Sequence, residues 1–379
     1  MRKLPSKLLL AAAITAIANP SAYAAESIAE AFQNGSTSVS FRLRFEDVEV
    51  GSVSNDALTL KSRLTYKTDT FNGVSALFEV DDTTVLGDED YSGIADSEYT
   101  DVNQAYLAYT AADTTVKFGR QRILLDNQRF VGGVGFRQNE QTYDAVTLTN
   151  KSLPDTTLFY GYISEVNNIF ASDIKHKTHL VNAKYSGLPI GSVTGYYYQI
   201  EPDAATDSID TFGIRLVGSK PAGDATILYT AEYASQEKGD GDPGYYLIEG
   251  GVKAAGVTAK LGYEVLESDN GVSFDTPLAT KHKFHGWTDK FLSPVAGYPD
   301  GIEDLYVSVG TKVAGVKLLA VYHDFEAESS STDLGSEFGL VIAKKFGKNY
   351  GLSLKYADYE AGDTGADTDK LWLTGTAKF

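Results

Sequence analysis

Residues 39–45 read Val39-Ser40-Phe41-Arg42-Leu43-Arg44-Phe45, and residues 58–66 read Leu58-Thr59-Leu60-Lys61-Ser62-Arg63-Leu64-Thr65-Tyr66. Apolar and polar side chains alternate through both stretches. A period of two puts successive side chains on opposite faces of a β-strand. One face is apolar, and the other carries Arg42, Arg44, Lys61 and Arg63. The alternation returns at residues 74–80, 212–216, 257–265, 305–313, 338–346 and 352–356. A β-sandwich would show the same pattern, so length and connection decide. Most candidate strands have about 9–11 residues, the length a tilted strand needs to cross a bilayer.

Working outward, the chain reads as eighteen strands. They lie near 37–48, 57–69, 73–82, 102–111, 114–123, 141–150, 155–165, 176–187 and 191–201, then near 208–219, 223–236, 245–255, 257–267, 303–313, 315–325, 334–346, 350–360 and 369–379. Connections after even-numbered strands are tight, as at Phe71-Asn72-Gly73, Ala112-Asp113 and Ala314-Gly315, whereas those after odd-numbered strands are generally longer and acidic. Short inner turns and long outer loops mark bacterial outer-membrane barrels. The expected fold is all-β: a transmembrane antiparallel up-and-down β-barrel of eighteen strands, or sixteen if one hairpin is misread. Such a barrel is wide enough for an aqueous lumen. The terminal stretch Leu371-Trp372-Leu373-Thr374-Gly375-Thr376-Ala377-Lys378-Phe379 resembles the assembly signal of outer-membrane proteins, which makes the barrel assembly machinery an expected partner.

Composition agrees. The 379 residues include 36 Gly and 24 Tyr but one Met and no Cys. Without Cys there are no disulfides, thiolate zinc sites or cysteine nucleophiles. Asp+Glu number 51 against 33 Lys+Arg, a net charge of −18, which argues against a general nucleic-acid binder. Residues 1–25 read as a signal peptide, with Arg2, Lys3 and Lys7 before an apolar run and Ala22-Tyr23-Ala24 at the cleavage site. The run is too short for a spanning helix, which needs about 20 residues. Residues 26–36 read as a short periplasmic segment and 37–379 as the barrel, set in outer-membrane lipid and lipopolysaccharide. The acids Asp81, Asp82, Asp88, Glu89, Asp90, Asp96, Glu98 and Asp101 fall in or beside one connection. They read as a solvated outer surface, with divalent-cation bridging to lipopolysaccharide as the sharper alternative.

Basic residues sit mostly on strands at the polar parity. A ring of Arg or Lys makes a pore favour anions. The alternative is that they pair with inward acids such as Glu79 and Glu264 and set no net field. The segment Gly119–Asp144 is rich in Arg, Gln and Asn, and contains Arg120, Arg122, Gln128, Arg129, Arg137 and Asn139 with Gly132, Gly133 and Gly135. A loop facing water needs no such composition, but a loop folded into a lumen does, and this one is expected to narrow the pore. Continuing the lipid-facing parity of Phe118 would place Arg120 and Arg122 in lipid, so a bulge or a position at the rim is required.

This segment, running from Gly119-Arg120-Gln121-Arg122 to Gln141-Thr142-Tyr143-Asp144, resembles the alginate-export family of outer-membrane porin-like barrels. A second stretch, Phe274-Asp275-Thr276-Pro277-Leu278-Ala279-Thr280-Lys281-His282-Lys283-Phe284-His285-Gly286-Trp287-Thr288-Asp289-Lys290-Phe291, resembles it too. The resemblance implies an 18-stranded barrel with an electropositive pore, whose arginines and lysines contact polyuronate in the alginate exporter. That role carries to Arg120, Arg122, Arg129 and Arg137. It also implies a monomer. In the second stretch His285, Trp287 and Lys290 form a candidate solute-contact loop, with a self-packed hydrophobic cluster as the plainer reading.

Enzyme signals are weak. His176 and His179 stand at i, i+3, which on a strand face opposite ways. His282 and His285 share that spacing without an evident third metal ligand, and there is no G-x-S-x-G elbow. No enzyme, cofactor or metal site is expected. The expected function is passive diffusion of small hydrophilic, anionic solutes such as sugar acids or oligouronates. The alternatives are alginate-type exopolysaccharide export and a surface structural or adhesion barrel without conductance.

Overall fold

The computed structural model describes residues 25–87, 94–295 and 297–379. Among them the first strands are β1 Ser36–Val50, β2 Val53–Lys67, β3 Val74–Leu86, β4 Tyr99–Ala111, β5 Thr114–Gln121 and β6 Thr142–Asn150. They are followed by β7 Thr156–Asn167, β8 Asp173–Leu188, β9 Gly191–Ile200, β10 Ile209–Ala222, β11 Ala225–Lys238, β12 Gly244–Ala254 and β13 Val257–Leu266. A two-residue hairpin, β14 Ser268–Asp269 and β15 Val272–Ser273, interrupts the series. It resumes with β16 Ile302–Val313, β17 Val316–Glu326, β18 Asp333–Phe346, β19 Tyr350–Glu360 and β20 Thr368–Lys378.

Apart from the small hairpin these strands form one 18-stranded antiparallel sheet. Each pairs with its sequence neighbours, and β1 pairs with β20 from Ser40↔Lys378 to Val50↔Thr368. The sheet is closed, and the count is eighteen, not sixteen. All eighteen expected strands are present, with limits that differ by only a few residues.

Alternation decides which side each residue faces. Phe118, Phe212, Ile248 and Leu261 are largely exposed on the outer face, while Arg44, Lys61, Glu79 and Glu264 on the opposite parity are buried. The apolar face meets lipid, and the polar face lines the lumen. The inner turns are tight. Ala112 and Asp113 both take positive φ, as the primed turns that match strand twist require.

Three details differ from the sequence reading. The first outer hairpin is as tight as an inner one, with only Gly51 and Ser52 between β1 and β2. β3 runs on past residue 82 to Leu86, and Asp81 and Asp96, read as part of a solvated outer surface, are buried. Asp88, Glu89 and Asp90 lie outside the described residues, as do residues 1–24. Within 26–36, a short helix α1 (Ile28–Gln33) packs at the first inner turn, where Ala25 donates to Thr70 O at 2.9 Å and Asp69 to Ala31 O at 2.9 Å.

Ile248 sits midway along β12 on the lipid face. Ile248→Arg is expected to destabilise the folded barrel by about 2–4 kcal/mol, the cost of a mid-bilayer arginine. Ile248→Leu should be near neutral. Urea titration of the heat-modifiable band on gels measures both.

Candidate functional site

The third outer loop, residues 122–141, folds into the lumen, because its polar groups find partners on the wall. At one end Arg42 of β1 donates to Gln138 Oε1 (2.6 Å) and Gly135 O (3.0 Å), and Arg44 donates to Phe136 O (2.7 Å). Gln138 donates through Nε2 to Thr59 Oγ1 at 2.9 Å, and its backbone N–H donates to Asp96 Oδ1 at 2.8 Å. Thr83 donates to Asn139 Oδ1 at 2.8 Å. Arg137 pairs with Glu46 of β1 at 2.9 Å. At the other end Phe130 lies against Tyr196 and Tyr198 of β9, Tyr245 of β12 and Phe274. The loop therefore reaches from the β1–β3 wall to the β9–β12 wall.

The seventh outer loop, residues 267–301, meets it there. Val131 and Leu278 form a parallel bridge, Gly132 donates to Leu278 O at 2.8 Å, and Thr280 donates its backbone N–H to Gln128 O at 3.0 Å. Gln128 Oε1 accepts from Thr280 Oγ1 at 2.9 Å. A Cβ on Gly132 would stand 2.2 Å from Thr280 Oγ1 and 3.0 Å from its backbone nitrogen, so only glycine allows this approach. Phe136 stacks on His282 with centroids 3.8 Å apart, and Arg137 bridges to Asp289 at 2.9 Å. The two stretches singled out in the sequence are thus the two halves of one interlocked body.

The wall arginines and lysines are extensively paired. Arg63 binds Asp81 at 2.6 Å and Glu140 at 2.8 Å, and Lys61 binds Asp81 at 2.8 Å. Arg122 pairs with both Glu79 and Glu140. Burial pushes the Glu140 carboxyl up, but Lys61, Arg63 and Arg122 outweigh it and hold it well below the usual carboxylate range. Arg120 stands apart near the outer end of β5, with Asp144 at 2.8 Å, Asp101 at 3.4 Å and Glu165 at 3.7 Å. Its neighbour Arg122 begins the loop, which resolves the parity conflict for both. Arg129 is buried against Glu264 at 2.8 Å and His285 at 3.1 Å. Lys290 lies over Tyr359, 5.3 Å from the ring centroid.

A family profile described as alginate export matches residues 36–265. The chain belongs to the alginate-export family. The match ends before the second of the two stretches. Among curated proteins no sequence matches significantly. Solved structures resemble it closely in fold. OccAB2 of Acinetobacter baumannii superposes with a TM-score of 0.76 at 15% identity, covering 92% of this chain and 99% of that one. OccAB4 of the same organism gives 0.73 at 14% identity, with 90% and 98% covered. The outer membrane protein OpdK of Pseudomonas aeruginosa gives 0.73 at 13% identity, with 91% and 98% covered. This alginate-export chain is an outer-membrane β-barrel.

In this alginate-export barrel the sequence reading missed the partners more than the cations. Glu140 stood inside the quoted segment, but nothing in its spacing marked it as the shared counter-ion of three bases. Lys355 on β19 had no signal beyond the polar parity of its strand. Its ammonium lies 4.0 Å from the Trp287 ring centroid, 4.5 Å from that of Phe136 and 5.3 Å from that of Trp372. It donates to His282 Nε2 at 2.6 Å, and His282 Nδ1 donates to Asp289 Oδ1 at 2.7 Å. Trp287 and Thr288 are held by Glu337 of β18. Glu264, His285 and Asp304 bring three potential ligand atoms within 4.8 Å of one another. Arg129 already supplies the positive charge beside Glu264 and His285, so an ion pair serves the cluster where a metal ion would have to displace a guanidinium.

Beneath the loop pair the wall keeps open space. One cavity of about 450 Å³ is lined by Arg215, Glu249, Lys260, Phe284, Trp287 and Tyr306, among others. A second, of about 320 Å³, is lined by Arg42, Lys61, Arg63, Lys345, Lys348 and Lys378, with Glu140 the one acid.

Burial pushes the His282 imidazole down, Asp289 opposes this and Lys355 adds to it, and the result is about 3 against 6.5 in solvent. An undocked seventh loop would bind a proton that the docked loop refuses. Docking should therefore weaken as pH falls from about 6.5 towards 3. The chain's two tryptophans, Trp287 and Trp372, both face this contact. Their fluorescence should shift between pH 6.5 and 4.5, and His282→Gln should remove that shift. Gly132→Val should separate the loops at neutral pH, seen as new tryptic cleavage within residues 122–141.

Proposed function

We propose that this barrel is a passive channel for small hydrophilic anions, with sugar acids and short uronates as the fitting class. The observation that carries this reading is the lumen itself. A loop pair narrows it, and beside that constriction lies a water-accessible cavity lined by six bases and one acid, with two of the bases also held by Asp81. Arg63 in that cavity and Arg122 at the start of the third loop, both bound to Glu140, are only partly buried, with side-chain exposures of 19% and 22%. Each guanidinium has five donors in a planar fork suited to a carboxylate. The neighbouring cavity adds Phe284, Trp287 and Tyr306, apolar faces against which a sugar ring can lie, between Arg215 and Lys260. The fold likeness to Occ and Opd barrels is consistent with this reading. One chain closes the sheet by itself, which supports the reading as a monomer. A passive pore has no direction, so uptake and export are the same mechanism.

The test is single-channel conductance in a planar bilayer with glucuronate as blocker. An open pore blocked by glucuronate is expected. Arg122→Gln should weaken the block roughly tenfold, the scale of one lost charge-assisted hydrogen bond. A silent barrel would refute the channel and leave a surface structural role. An open pore indifferent to glucuronate would remove the sugar-acid assignment.

A further inference from the structure

Most of the constriction's cations are paired, with Glu46, Glu79, Asp81, Glu140, Glu264 and Asp289 as their partners. The lower wall is different. Lys67, Lys184, Lys253, Lys312, Lys345 and Lys378 lie at or near the inner ends of β2, β8, β12, β16, β18 and β20, all strands that run towards the inner turns. Each shares the lumen parity of a wall residue on its own strand, among them the buried Asn182 of β8 and Ser308 of β16, which lines the first cavity. Lys67 follows Arg63 by four positions, Lys184 follows Asn182 by two, Lys253 follows Glu249 by four, and Lys312 follows Ser308 by four. Lys345 and Lys378 line the basic cavity directly. All six are exposed, and among the described residues none has a carboxylate partner. Among the described residues the acids at this end are Asp69, Asp113, Asp155 and Asp224 in the inner turns with Glu26 and Glu30 at α1, and none of them forms an ion pair with the six. The strands that bear the lysines are spread around the closed sheet, so the charges form a ring.

A ring of like charges at a pore mouth sets ion selectivity, because each ion must pass within the range of its field. That range is about 8 Å at 0.15 M salt. Paired arginines deeper in the lumen hold the loop, while unpaired lysines at the mouth face the solution. We infer that this periplasmic lysine ring sets the anion preference of the pore and is a binding site for small carboxylate or sulfonate anions arriving from the periplasmic side. The inference rests on the channel reading above for selectivity, but the binding site stands without it.

The test uses the full-length refolded barrel and the quadruple variant Lys253→Gln, Lys312→Gln, Lys345→Gln, Lys378→Gln. The control is Lys220→Gln with Lys344→Gln, which removes two lysines near the same end of the barrel at the lipid-facing parity. In a KCl gradient at 0.1 M the quadruple variant should lose several-fold in chloride-over-potassium permeability, and the control should match the parent. The difference should shrink at 1 M, where the field reaches only about 3 Å. A quadruple variant with unchanged selectivity would overturn the assignment and move selectivity to the constriction. Anisotropy of the trisulfonated dye pyranine in detergent gives the second readout. The parent should bind it in a salt-dependent way, and the quadruple variant at least tenfold more weakly, with Lys→Arg at the four positions restoring binding. Equal dye binding by parent and quadruple variant would refute the site whether or not the barrel conducts. A silent barrel that binds dye through these lysines would refute the channel alone.

Discussion

Hydrocarbon offers no partner to a backbone N–H or C=O, and every other feature of this barrel follows from meeting that demand. The sheet has no free edge, because β1 and β20 pair along eleven positions. Closing eighteen strands produces a lumen too wide to be filled by wall side chains. The space must hold either water or another part of the chain, and here it holds both. Among the described connections the long outer loops can enter, whereas the inner turns are too short to reach. The lumen's contents are thus a consequence of how the backbone is satisfied.

Within that lumen, charge pairing decides which loops stay. A guanidinium half removed from water needs a carboxylate or several carbonyl oxygens. Arg42, Arg44 and Arg137 find carbonyls or carboxylates at the junction of the third loop and β1, and Arg129 finds Glu264 on the far wall. The loop is fixed at both ends by interactions that would be costly to leave half made. A constriction held this way has a defined shape, which a pore needs if it is to choose among solutes.

The fold was legible because strand alternation is local. Phe118, Ile248 and Leu261 announce the lipid face from their own positions in the chain, and tight pairs such as Ala112-Asp113 announce the inner turns. The inward fold of residues 122–141 was also legible, since a composition of Arg, Gln and Asn makes sense only where such groups serve one another. The partners were not. Glu140 is shared by residues 61, 63 and 122, and Arg129 reaches Glu264 across 135 positions. No spacing rule joins residues so far apart. Asp81 shows the opposite error: it stood within the expected strand 73–82 but was grouped with solvated surface acids, whereas it is buried and holds Lys61 and Arg63. The cage around Lys355 needed four segments to be brought together, and each alone reads as ordinary wall or loop.

The bridge between Val131 and Leu278 joins segments encoded by distant parts of the gene. The two halves are fitted to each other: one needs Gly132 for the close approach, the other supplies Thr280 to occupy it. Exchange of a single loop between relatives would pair halves shaped for different companions. The constriction is therefore inherited as a unit even though the chain is not continuous through it. Diversification of what passes through such barrels should proceed by paired change in the two loops, while the strands between them drift independently.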